Sequence, residues 1–203
     1  MTAAVVDSGR AGRPRDARVD GEILAAALAL LADEGFGRFT VEEVAIRSGV
    51  AKTTIYRRYP CREDLIRGAL ETLNDDLSER VLGGAPRERL KVALDSIRQA
   101  PGTIRGRVLM RAAAEGVSDP SIAALVHARV LEPRREALRQ VIRDGMASGE
   151  LRPGIDLEAV VPVLVGPMMH LGMWRMCSGV EDVSVDAVID LLFTGLGAEE
   201  SAR

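Results

Sequence analysis

Apolar residues recur along this chain at three- and four-residue intervals, the spacing that lines one face of a helix. They rarely alternate with polar residues as a half-buried strand requires. Ile23, Leu24, Ala27, Leu28 and Leu31 form the first stripe and predict a helix over 18–34 that Gly35 stops. Thr40-Val41-Glu42-Glu43 reads as a capping box, in which the Thr40 hydroxyl and the Glu43 carboxylate satisfy free amides at a helix start. Val44 and Ala45 face inward on that short helix, Ser48-Gly49-Val50 supplies a tight turn, and a second short helix spans 51–58 before Pro60 ends it. Leu65, Ile66, Ala69, Leu70, Leu73 and Leu77 mark a longer helix terminated by Gly83, Gly84 and Pro86. Further helices are expected over 87–100, 103–116, 120–148, 157–177 and 185–196, with Asp119 and Ser184 as N-caps and Pro120 in a first turn. Pro133, inside the long third of these, is expected to kink or break it.

The fold class is therefore all-α, and the two short helices across a glycine turn form a helix-turn-helix unit. Composition agrees: 47% hydrophobic residues in 203 suffice for a real core, and only 3% are aromatic. The net charge of -3 argues against a protein that coats nucleic acid indiscriminately. Cys61 and Cys177 lie far apart without metal-type spacing, and residues 1–19 lack the apolar centre of a signal peptide, so a reducing cytoplasm is expected. The most apolar stretch, 159–174, is shorter than a membrane span of about 20 residues and contains Pro162, Pro167 and His170, so it reads as a buried helix.

Charge is distributed unevenly. Arg47, Lys52, Arg57, Arg58 and Arg62 fall in one window without an acidic residue, interleaved with the hydroxyls of Thr53, Thr54, Tyr56 and Tyr59. Such side chains bond phosphate oxygens and base edges. A helix over 51–58 places Lys52, Thr53 and Arg57 on an exposed face, while Ile55 and the Tyr59 ring turn toward Leu24, Val44 and Leu65. By charge and spacing alone, a solvated charged helix fits as well. Arg13 and Arg15 around Pro14 suit either a minor-groove arm or a disordered leader.

The run from Phe39-Thr40-Val41-Glu42-Glu43-Val44-Ala45 through Ser48-Gly49-Val50-Ala51-Lys52-Thr53-Thr54-Ile55-Tyr56-Arg57-Arg58-Tyr59-Pro60 to Leu65 resembles the signature of the tetracycline-repressor-like (TetR) family. The resemblance covers roughly 23–70. It implies that Thr40 caps its helix and touches a phosphate, that Tyr56 and Arg62 clamp the DNA backbone, and that Lys52, Thr53 and Arg57 read bases. Ala51 and Cys61 stand where the pattern usually has hydroxyl residues, so two N-caps lose about 1 kcal/mol each. Cys61 at a helix start beside Arg62 suits a lowered thiol pKa and a redox role, or else is a small polar replacement. The expected organisation is an arm over 1–17, a DNA-binding unit with its linking helix over 18–82, and an effector-binding and dimerisation unit over 83–203.

In that last unit, 157–177 is apolar around most of its circumference, with Leu157, Val161, Leu164, Met168 and Leu171 on one side and Val163, Pro167, His170 and Trp174 on another. With Val185, Val188, Ile189, Leu192 and Phe193 as a companion stripe, it is expected to pair two copies through the last two helices. The resemblance implies the same dimer. Leu131-Glu132-Pro133-Arg134-Arg135 and Gly149-Glu150-Leu151-Arg152-Pro153 are similar to a recurring C-terminal type in the family. Met110, Met169, Met173, His170 and Trp174 either line an adaptable pocket or pack a core, and Arg107 and Arg111 either meet an acidic effector or are solvated. No cofactor is expected. The chain offers no nucleophile–base pairing or phosphate-cradling glycine motif, which sets an enzyme aside as the remote alternative. The expected function is a ligand-responsive repressor that binds a palindromic operator as a homodimer; an activator or an effector-independent DNA-binding protein is the nearer alternative.

Overall fold

The computed structural model describes residues 17–74, 84–179 and 184–196, except the side chains of Leu192, Phe193 and Leu196, and every element among them is helical. Helix α1 (Ala17–Glu34) buries Ile23, Ala27, Leu30 and Leu31 and ends at Gly35, whose φ of +85° is the left-handed conformation that lets the chain turn sharply. Helix α2 (Val41–Ser48) starts on Thr40, whose hydroxyl accepts the Glu43 N–H at 3.2 Å. The reciprocal half of the expected capping box is not made, because the Glu43 carboxylate accepts from Arg47 instead. Helices α3 (Lys52–Arg58) and α4 (Arg62–Glu71) begin at Ala51 and Cys61 with no side-chain cap, as those residue types dictate. A tighter turn over Thr72–Asn74 extends α4. Leu65, Ile66, Ala69, Leu70 and Leu73 are buried as their spacing predicts, whereas Leu77 lies outside the described residues.

Helix α5 (Pro86–Gln99) and a short turn over Ala100–Gly102 lead into α6 (Ile104–Gly116) and α7 (Pro120–Val126), the latter capped by Asp119. The kink expected at Pro133 takes a particular form. Pro133 lacks an N–H, and its ring needs room in the preceding turn. That turn, His127–Leu131, widens to a π-helical one in which the Glu132 N–H donates to the carbonyl of His127, five residues back. Helix α8 (Glu132–Ser148) then runs on.

Helix α9 (Leu157–Ser178) has 22 residues, long enough to cross a membrane by length and composition alone, so the expectation that its apolar stretch is too short does not hold. Its own chain covers only part of it, 28% of the most apolar window, so the expected burial is partial. Val160, Val161, Leu164 and Met168 are buried, and Gly172 lies so close to the end of α5 that a Cβ there would sit 2.1 Å from the Arg98 carbonyl oxygen. Glu158 in its first turn pairs with Arg139, which also holds Glu132 and Glu136. In helix α10 (Val185–Leu196), Val185 and Ile189 of the expected pairing stripe are buried against their own chain with Val188 packed beside them, whereas the side chains of Leu192 and Phe193 lie outside the described residues.

Two apolar cores result. One joins α5, α8, α9 and α10 around Leu94, Ile142, Leu164 and Met168. The other is built on α1 to α4 and takes in Val108 and Ala112 of α6, Val126 of α7 and Val130 of the π turn. The helix-turn-helix thus shares one continuous core with the middle of the chain.

Candidate DNA-binding face and effector cavity

Ile55 is fully buried, which fixes the rotation of α3 and turns Lys52, Thr53, Tyr56 and Arg57 to solvent. Thr54 is half-buried. The Tyr59 ring lies over Gly68 beside Leu24, close to the expected placement, so its aromatic body supports the fold from inside. The arm residues Arg13 and Arg15 lie outside the described residues.

Tertiary structure changes the charge of this window. Arg47 meets Asp33, Glu34 and Glu43, Arg58 meets Asp20 at 2.6 Å, and Lys52 meets Glu42 at 3.1 Å. Arg62 donates to the carbonyls of Phe39, at 3.0 Å, and Phe36, and stacks over the Phe39 ring. Its guanidinium therefore ties the loop before α2 to the start of α4. Among the described residues Arg57 makes no hydrogen bond or ion pair, and it stands exposed beside Tyr56 and Thr53. The Lys52–Glu42 pair is more than half exposed on both sides, and such pairs are weak enough for a phosphate to displace the carboxylate.

The second site is a cavity of about 450 Å³ between α5, α6, α7, the π turn, α8 and α9. Ala93, Leu109, Ala112, Leu138, Val165 and Met169 give it an apolar wall, and Arg105, His127, Arg134 and Arg135 add polar groups. Of the side chains singled out from sequence, Met169 lines it. Arg107, Met110, Arg111, His170, Met173 and Trp174 do not, and the faces of two helices explain why. On α6, positions 105, 109, 112 and 113 face the cavity while 107, 111 and 115 face α1. On α9, His170 and Trp174 stack on each other, with ring centroids 6.4 Å apart, on the exposed side.

The α1-facing positions form a clasp. Arg111 donates to the carbonyls of Ala32 and Asp33 (2.6 Å to the latter), satisfying acceptors that the end of α1 leaves open. One turn on, the Glu115 carboxylate accepts the N–H groups of Phe36 at 3.0 Å and Gly37 at 2.8 Å, an anion seated in consecutive backbone amides. A Cβ at Gly35 would come within 2.0 Å of that carboxylate, so the close seat needs glycine as much as the turn does. A second tie runs from the π turn and α8: Arg129 pairs with Glu71 at 3.0 Å, Asn74 donates to the Arg129 carbonyl at 2.6 Å, and Arg134 donates to the Leu73 carbonyl.

Residues 23–69 match the family model for bacterial regulatory proteins of the tetR family, and 82–192 match that for the tetracyclin repressor-like C-terminal domain. The chain belongs to the TetR family. An HTH-type transcriptional regulator of Bacillus subtilis, YdeS, is 30% identical over 95% of this chain and 96% of its own length. Among solved structures, a TetR-family regulator from Rhodococcus matches with a TM-score of 0.68 at 19% identity, covering 89% of this chain and 99% of that one. FadR from Bacillus subtilis, in complex with stearoyl-CoA, matches at 0.65 and 19%, covering 87% and 99%. The protein is thus a helix-turn-helix transcriptional regulator.

Of the two readings of Cys61, its surroundings favour the small polar replacement. The Asp64 N–H favours the Cys61 thiolate, but the neighbouring Asp64 and Glu63 carboxylates and partial desolvation outweigh it, so the thiol titrates above its ordinary range. The adjacent acidic first turn of α4 works against the lowered thiol pKa on which a redox role would rest. The cavity residues missed from sequence, His127 and Arg135 above all, had one available signal: they flank Pro133, where the helix had to deform.

Proposed function

We propose that this regulator is a ligand-responsive repressor that binds a palindromic operator as a homodimer, within the cytoplasm and without catalysis. Residues 18–82 act as the DNA-binding unit and 83–203 as the effector and pairing unit. The observation that carries the reading is that two walls of one cavity, α6 and the π turn, are each tied to the DNA-facing helices. A molecule entering between those walls changes the position of α1 and α4, and with them the setting of α3. Thr53, Tyr56 and Arg57 face the DNA, with Lys52 released from Glu42 to a phosphate; Thr40, Thr54, Tyr59 and Arg62 hold the unit around them.

Pairing is supported by large apolar side chains that the chain leaves open on α9 and α10: Val163 is 61% exposed, Trp174 56% and Leu191 73%. Large apolar residues this exposed on the last two helices suit a two-fold contact. Two copies then place two α3 helices in successive major grooves, about 34–36 Å apart in the simplest geometry.

Band-shift titration on genomic operator fragments, combined with sedimentation, tests the reading. Native protein sediments as a dimer and selects a near-palindromic site, and Val163→Arg yields monomers that lose the site. Monomeric native protein, or equal affinity for scrambled duplex, overturns it.

A further inference from the structure

Among the residues lining the cavity there are three arginines, Arg105, Arg134 and Arg135, and neither an aspartate nor a glutamate. The chain as a whole carries a net charge of -3, and elsewhere Arg89 meets Asp144, Arg98 meets Asp95, Arg143 meets Glu136 and Arg139 meets three glutamates. Arg135 meets instead the His127 ring, with Nη1 at 3.1 Å from Nε2. A guanidinium only donates, so in that contact the ring nitrogen is the acceptor. Glu132 stands 4.0 Å from the same ring, with its other oxygen taken by Arg139. Arg135 thus faces an imidazole ring rather than a carboxylate at the edge of an apolar space, which favours an anion arriving with an apolar body.

We propose that the cavity binds an amphiphile with one anionic head, a carboxylate in the simplest case, and an apolar tail. The head is received by Arg135, displacing His127, and the tail lies along Ala93, Ala112, Leu138, Val165 and Met169. A cavity of about 450 Å³ lies within the range of small-molecule sites and has room for a medium-chain fatty acid. This rests on the effector-cavity reading above and specifies what that cavity takes.

Titration calorimetry below the micellar range, with decanoate, decanol, decyltrimethylammonium and decanoyl-coenzyme A, tests it on the full chain. Decanoate binds at least tenfold tighter than decanol, and the ammonium weakest. Arg135→Gln lowers decanoate affinity about tenfold and shifts decanol less than twofold, while Arg143→Gln, whose side chain does not line the cavity, changes neither. Decanoyl-coenzyme A binding above or below decanoate supports the anionic amphiphile in both cases and assigns its source as thioester or free acid. Decanol matching decanoate, Arg135→Gln weakening both alike, or binding of none of the probes overturns the proposal. If decanol binds equally well and Ala113→Trp abolishes it, the anionic head is wrong while the effector cavity survives. Failure of the function itself is read separately, as loss of operator selectivity by the native protein.

Discussion

Glu115→Gln removes one charge and little volume from the clasp between α6 and the α1–α2 turn. The carboxylate accepts two backbone N–H groups, at 3.0 and 2.8 Å. Hydrogen bonds to a charged group contribute about 1.5–3 kcal/mol each. Glutamine keeps one acceptor and turns its NH2 toward the other amide, so one bond is lost and the other becomes neutral. The Gly37 amide is exposed enough for water to replace part of the loss, which leaves about 1–2 kcal/mol, a five- to thirtyfold rise in local opening. Amide hydrogen exchange reads this directly. Exchange at Phe36 and Gly37 accelerates by that factor while Leu164, buried in the other core, keeps its native rate. Equal acceleration at Leu164, or a change under twofold at Phe36, refutes a local tie. The same variant weakens the mutual influence of effector and operator, which must be reciprocal. A loosened turn with unchanged coupling refutes the assignment of this clasp as the route.

Glu42→Gln removes the carboxylate facing Lys52, and duplex binding tightens about two- to fivefold at low salt, the worth of an exposed ion pair, with the gain shrinking as salt is added; band shifts at several salt concentrations check this. Ile55→Ala destabilises the fold by about 2–5 kcal/mol in denaturant unfolding, because the side chain is fully buried and locks α3 in place. Hydrogen bonds from Arg89 and then Gln140 hold the Asp144 carboxyl below its ordinary pKa, so its stabilising share is present above the unfolded value of about 3.9 and is lost as pH falls through the lower folded value. The Tm difference between native protein and Arg89→Gln is therefore larger at pH 6 than at pH 3.

Whatever a contiguous stretch of residues encodes is legible in the sequence. Helix positions follow from apolar spacing, and α2 and α3 follow from Thr40, Gly49 and Pro60, because capping, glycine turns and the missing proline N–H act within a few residues. The inward turn of Ile55 and the outward turn of Arg57 are also local, fixed by about 100° per residue once one face is apolar. Charge is not local. The window around α3 holds no acidic residue in sequence, yet Asp20, Asp33, Glu34 and Glu42 reach it from α1 and α2, leaving Arg57 as the cation without an ion partner among the described residues.

The cavity shows the same division. Methionines and a tryptophan in an apolar helix suggest a pocket, but composition does not say which side of α9 turns inward. Packing against α5, where Gly172 meets the Arg98 carbonyl, sets that rotation and sends His170 and Trp174 outward. On α6 the arginines at 105, 107 and 111 are alike in sequence. Only the placement of α1 against one side of that helix makes Arg111 a clasp and Arg105 a cavity residue. Sequence by itself determined the helices, their caps and the family, since those depend on neighbours along the chain. Tertiary structure decided which charges are answered and which wall receives a ligand, since those depend on groups brought together from dozens of residues apart.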